Sequence, residues 1–160
     1  MRKRFRWAAL YILTIGLLSN VVALFIRRDK LDPNHRFFRL RQWEQGGKIY
    51  DRIAIRKWKG RVPDVSRTLR FVAPKKVTAA TDEEGLSRLI RETCVAELVH
   101  VALMVLSLAV LWICPGWQGV LLYGLCFFGN LPFICIQRYN RPQYMLAAER
   151  LARRKERLHR

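Results

Sequence analysis

Charged residues are absent from two long stretches of this 160-residue chain. No Asp, Glu, Lys or Arg occurs from Trp7 to Ile26, or from Leu98 to Gln137, where only Cys114-Pro115-Gly116-Trp117 breaks the apolar pattern. The runs 7–26, 98–114 and 117–136 each approach the length at which a helix crosses roughly 30 Å of hydrocarbon. Between the first and second runs the rhythm changes. Phe37, Phe38, Leu40 and Trp43 are interleaved with arginines, after Asp32-Pro33 (a helix start) and before Gly46-Gly47 (a stop). That pattern predicts an amphipathic helix lying in the membrane interface. "KIYDRIAIRKWKGRVPD", from Lys48, predicts a second short amphipathic piece closed by Gly60 and Pro63, and "LRFVAPKKVTA" an extended one. Thr81 to Glu84 fits a capping box, and Leu86, Leu89 and Ile90 open a helical stripe that continues into the second apolar run. One helix is therefore expected over about 82–113.

The predicted organisation is an all-α integral membrane protein forming a single membrane domain over 1–160. It has about three membrane helices, one N-terminal and two in a helical hairpin, with interfacial amphipathic helices between them. The first membrane helix occupies 7–26, the basic interfacial segment 27–92, the hairpin 93–136 and the basic tail helix 137–160. Asn130 and Pro132 are expected to interrupt the third run, and Pro142 to start the tail helix. The first run also matches a signal peptide cut after Ala23, but its extension to Ile26 favours an uncleaved helix. Ser19 and Asn20 within it require partners inside a bundle.

Composition changes this picture little and charge changes it more. Half of the residues are hydrophobic, 51%, yet the formal net charge is +18. In a soluble chain that charge would indicate nucleic acid. Here the basic residues flank apolar runs and no RNA-binding motif or zinc finger is present, so membrane lipid is the expected partner, through anionic headgroups. Cys94, Cys114, Cys126 and Cys135 lie in or beside apolar segments without metal-site spacing and read as small buried hydrophobes. Both basic blocks flank the hairpin, which places them in the cytoplasm of a multi-pass cell-membrane protein. Arg2, Lys3, Arg4 and Arg6 favour the same side, which an odd number of spans forbids. Either the N-terminus is outside against its charge, or the first run is re-entrant.

From Thr93 to Ile136 the strongly ionisable side chains are Glu97 and His100, three apart on one helical face that Thr93 and Met104 extend. A carboxylate beside an imidazole fixes the tautomer and supports the cation formed when His takes a proton. Activation of a sugar or lipid hydroxyl needs that arrangement, with solvation at headgroup level as its plain alternative. Glu-x-x-His occurs once in the apolar runs, and the other copy, Glu156 to His159, lies in the basic tail, so no metal site is expected. No nucleophile elbow, Walker loop or Rossmann pattern is present. In an antiparallel hairpin the two residues face Asn130 to Arg141, and Gln137, Arg138, Asn140 and Arg141 rim a pocket with His100 at its floor.

"ETCVAELVH" (Glu92 to His100), "IRKWKGRVPD" (Ile55 to Asp64) and "NLPFICIQRYNRPQ" (Asn130 to Gln143) resemble the motifs of the glycosyl-4,4'-diaponeurosporenoate acyltransferases, membrane enzymes of staphyloxanthin and carotenoid biosynthesis. Gln143 stands where that pattern has Arg. The resemblance implies transfer of a fatty acyl group to a sugar hydroxyl of a glycosylated carotenoid or glycolipid. His100 would then be general base and Glu97 its orienter. Asn130, Gln137, Arg138, Tyr139, Asn140 and Arg141 would bind the acceptor or developing oxyanion. Lys57, Trp58, Lys59, Lys75 and Lys76 would hold the donor, acyl-CoA or another activated acyl co-substrate, with no further cofactor. Two rivals are a non-catalytic lipid-binding or scaffolding protein and another membrane transferase such as a methyltransferase.

Overall fold

The computed structural model describes residues 2–62 and 82–158. Among them every regular element is helical: α1 (Arg2–Phe25), α2 (Ile55–Trp58), α3 (Glu83–Leu106), α4 (Val110–Ile113) and α5 (Trp117–Leu158), with 3₁₀ segments at Arg28–Lys30, Gln42–Ile53 and Ser107–Ala109. Three helical stretches, Arg2–Phe25, Glu83–Ile113 and Trp117–Leu158, are long and apolar enough to cross a membrane. The chain divides into two compact units. One takes the N-terminal segment to Arg27 with Val95–Ile134, the other Arg28–Cys94 with Cys135–Arg160.

In the first, apolar unit, Ala8 is fully buried against Val110 and Cys114, with Tyr11, Ile12, Ile113 and Leu122 around them. Tyr11 donates its hydroxyl to the Leu106 carbonyl at 3.0 Å, where α3 tightens into the 3₁₀ turn. Residue 8 lies beside 110–114 and residue 11 beside 106, so α1 starts at the hairpin turn and runs away from it. The hairpin closes at Gly119: a Cβ there would stand 1.9 Å from the Cys114 carbonyl oxygen, so only glycine fits. Trp7, Trp112 and Trp117 are all exposed at this end, as interfacial indoles are. Leu10, Leu13, Leu17, Leu18, Val21 and Val22 of α1 are exposed, a surface that lipid covers. Ser19 and Asn20 do not use bundle partners. Both donate to the Gly16 carbonyl of their own helix at 2.8 Å.

The second, polar unit departs from the expected interfacial helix. Asp32 does not start one; its Oδ1 accepts from the Asn34 N–H at 2.8 Å, and turns follow to residue 39. Gly46-Gly47 is not a stop either. Gln45, Gly46 and Gly47 take φ of 50°, 66° and 94°, a left-handed kink inside the 3₁₀ segment Gln42–Ile53. Gly47 fits because its Cα side abuts α5: a Cβ there would meet Pro142 Cγ at 3.3 Å and the Tyr139 carbonyl at 3.6 Å. α3 begins as foreseen but with Asp82 as its cap, whose Oδ1 accepts from the Gly85 N–H at 2.8 Å. The predicted stripe Leu86, Leu89 and Ile90 is buried.

α5 is one helix of 42 residues, unbroken at Pro132 or Pro142. A proline removes one ladder bond, a loss this helix tolerates at both positions. Asn130 donates Nδ2 to the Cys126 carbonyl and Gln143 donates Nε2 to that of Tyr139, at 2.8 and 3.1 Å. Pro142 therefore sits inside the helix and does not start a separate tail.

α1 is continuous, which removes the re-entrant alternative and puts the N-terminus on the side of the hairpin turn. Four of the thirty basic residues, Arg2, Lys3, Arg4 and Arg6, lie in the first turns of α1; the other twenty-six follow it outside the turn and are expected in the cytoplasm. In a thiol-free background, Lys3→Cys and Gln118→Cys should both react with an impermeant maleimide added to intact cells, and Leu158→Cys should react only after permeabilisation. Opposite behaviour of Lys3→Cys and Gln118→Cys would refute the antiparallel placement of α1.

Candidate active site

The apolar unit holds one polar constellation of chemical interest. α3 and α5 bring His100 against Asn130 and Phe133. His100 Nδ1 lies 2.8 Å from Asn130 Oδ1, and its ring stacks on Phe133 at 4.5 Å between centroids and 15° between planes. Asn130 spends its Nδ2 on the Cys126 carbonyl, so the atom facing the imidazole is the amide oxygen, an acceptor. Facing that acceptor, Nδ1 takes the donor's part in this contact. An imidazole so oriented is a base at a defined nitrogen. Glu97, one turn earlier on α3, is 2% exposed. Nδ1 is met by Asn130, which the sequence had suggested for acceptor binding.

The polar unit contains the other residues of the "QRYNRPQ" stretch, each in its own contact. Arg138 donates Nε to Glu44 Oε1 at 2.7 Å and Nη2 to Oε2 at 2.6 Å, a bidentate pair around a carboxylate with no exposed surface. Glu44 also accepts from the Tyr50 hydroxyl and the Arg41 N–H, both at 2.6 Å. Burial alone would push its carboxyl up; the bonds from Arg138, Tyr50 and Arg41 outweigh it and hold the group below the ordinary value. Burial, and then the Glu44 charge, push the Tyr50 phenol far up. Arg141, 2% exposed, donates Nε to Thr93 Oγ1 at 2.9 Å, Nη1 to the Phe38 carbonyl at 2.5 Å and Nη2 to the Thr93 carbonyl at 3.2 Å. Tyr139 accepts from Arg56, and Asn140 from Lys59, at 2.9 Å each. Gln137 is 6% exposed and its Oε1 has no hydrogen-bond partner among the described residues.

Two guanidiniums expected to bind a ligand thus brace the fold, tying α5 to segments about a hundred residues earlier. Lys57 is exposed and Trp58 half-buried, with Nε1 donated to the Ile53 carbonyl at 2.9 Å. Lys75 and Lys76 lie outside the described residues. Glu44, Tyr50 and Arg56 were missed by sequence reasoning. Only Glu44 carried a signal: it is the one acid between Asp32 and Asp51 in an arginine-rich block.

These features define a helical membrane protein whose hairpin presents an oriented histidine. The description that matches the chain, over residues 34–150, is glycosyl-4,4'-diaponeurosporenoate acyltransferase, and the chain belongs to that family of acyltransferases. A protein of that name from Staphylococcus haemolyticus is 30% identical over 110 residues, covering 67% of this chain and 63% of its own length. Proteins of the same name from two Staphylococcus aureus strains, bovine RF122 / ET3-1 and MRSA252, are 27% and 29% identical, covering 77% of this chain and 74% of theirs. No solved structure matches.

Removing one partner of a buried ion pair strands the other charge, so Glu44→Gln should lower stability by about 3–5 kcal/mol in chemical denaturation. Because the folded-state pKa of Glu44 is depressed, the carboxylate's contribution is present above its unfolded value, 4.5, and is lost as pH falls through the folded value. Wild-type stability should therefore decline with acidification below that value, and the decline should be shallower in Glu44→Gln. Identical slopes would exclude this pair as the source.

Proposed function

We propose that this chain transfers an acyl group from an activated donor to a sugar hydroxyl of a glycosylated carotenoid or related glycolipid in the cell membrane. The observation that carries the reading is the His100–Asn130 pair: the amide fixes Nδ1–H and so presents Nε2 as the base. The family name supports the acyl group and the glycosyl acceptor.

The acceptor hydroxyl gives its proton to His100 Nε2 as its oxygen attacks the donor carbonyl carbon. Collapse of the tetrahedral adduct breaks the bond to the leaving group, a thiolate if the donor is a thioester. The imidazolium returns the proton to that leaving group, so the enzyme is unchanged over the cycle. Asn130 keeps its bond to Nδ1–H in both protonation states, and Phe133 holds the ring plane. Glu97 places a carboxylate one turn away, favouring the transient cation. Arg138 and Arg141 act as architecture.

His100→Ala should lose about a hundredfold to ten-thousandfold in kcat for acylation of a glycosylated carotenoid by the purified protein in nanodiscs. Near wild-type turnover would exclude His100 as the base. Asn130→Leu should lower kcat with KM little changed, and Asn130→Asp, which still accepts from Nδ1–H, should retain most of it. Equal losses in both variants would assign Asn130 a packing role only.

A further inference from the structure

Arg56 and Lys59 are like charges three residues apart, a spacing that places them side by side at the end of α2. Arg56 is shared between Asp51 and Tyr139, and Lys59 bonds to no acid among the described residues. Arg56 Nε donates to the Tyr139 hydroxyl at 2.9 Å and to Asp51 Oδ1 at 3.0 Å, with Nη2 3.4 Å from Asp51 Oδ2. Lys59 Nζ donates to Asn140 Oδ1 at 2.9 Å and stands 4.5 Å from the centre of the Tyr139 ring. Both cations thus converge on one face, whose floor is Tyr139, 4% exposed and packed with Tyr50 and the fully buried Ile55. Burial, and then the charge of Arg56, lower the pKa of Lys59, with Asp51 opposing them. Asp51 occupies Nε and Nη2 of Arg56. Nη1, and the remaining protons of Lys59, make no hydrogen bond among the described residues.

We infer that Arg56 and Lys59, seated on Tyr139 and Asn140, form a phosphate-binding site. A phosphate has enough oxygens to bridge Arg56 Nη1 and Lys59 Nζ together, and the planar guanidinium suits it. The ligand is either the phosphate of a soluble acyl donor or a phospholipid headgroup; the neighbouring Trp58 indole is a side chain common at headgroup depth. The donor arm rests on the acyl-transfer reading, whereas the binding itself does not.

The test is titration of the full chain, in phosphatidylcholine nanodiscs, with inorganic pyrophosphate followed by calorimetry. Arg56→Gln and Lys59→Gln should each weaken binding at least about tenfold. Lys59→Arg should bind, which guards against a folding artefact, and Arg154→Gln in the exposed tail should match wild type. Unchanged affinity in both glutamine variants overturns the site. The source is then read from turnover. With a donor site, wild type should prefer acyl-CoA to a phosphate-free acyl thioester of N-acetylcysteamine, and Lys59→Gln should lose the preference through KM. With a headgroup site, the preference is unaffected, and wild type and variant differ only when anionic phosphatidylglycerol is added. Pyrophosphate binding with no acyl transfer from either thioester would leave the phosphate site standing and refute the acyl-transfer reading.

Discussion

A carboxylate with no exposed surface stays ionised only if the protein replaces the water it has lost, and in the polar unit that requirement falls on Glu44. Four donors converge on its two oxygens: two from Arg138, one from Tyr50 and one from the Arg41 backbone. The kink at Gln45, Gly46 and Gly47 allows Glu44 and Tyr50 to approach the same point from opposite sides of one short segment. Gly47 then rests on α5 beside Pro142, one helical turn from Arg138. The turn, the absent Cβ, the proline and the ion pair therefore depend on one another. Arg141 repeats the logic three residues on, as a buried cation satisfied by Thr93 and Phe38.

In the apolar unit the same rule acts with fewer groups. Tyr11, Thr14, Ser19, Asn20, Ser107 and Asn130 each donate to a carbonyl, because hydrocarbon offers no other partner. Only Asn130 also turns an acceptor toward an ionisable side chain. Its amide is fixed by the helix at one end and fixes the imidazole at the other, so a requirement of the fold has become an orientation of the base.

How much of this was legible follows from the range of each interaction. The apolar runs pointed to three helices long and apolar enough to cross a membrane, because helix length against bilayer thickness is local information, although the third continues to Leu158 where a separate tail was expected. The stripe Leu86, Leu89 and Ile90 was legible for the same reason. Asp32-Pro33 and Gly46-Gly47 misled, because the same residues serve a helix end, an Asx turn or a left-handed kink, and distant partners decide which. Glu44 and Arg138 are 94 residues apart, Arg141 and Phe38 103, and no spacing rule reaches so far. The arginines after the third run were visible as unusual. That they face inward to the protein was not, since a guanidinium bracing a fold and one binding a ligand have the same sequence. Pro132 and Pro142 carried a helix-break signal that tertiary support overrode.

On the acyl-transfer reading, the position of His100 also bears on selectivity. A base able to deprotonate a sugar hydroxyl can deprotonate water, and hydrolysis of the donor is the competing reaction. His100 is half-buried, with one face covered by Phe133 and Nδ1 in contact with Asn130. A carotenoid or lipid acceptor is dissolved in the bilayer that covers the exposed apolar surface of this unit, while water is scarce there. On that reading, a base in these apolar surroundings would meet a membrane-dissolved hydroxyl more often than water. The Asn130 amide orients the ring in that setting without itself carrying a charge.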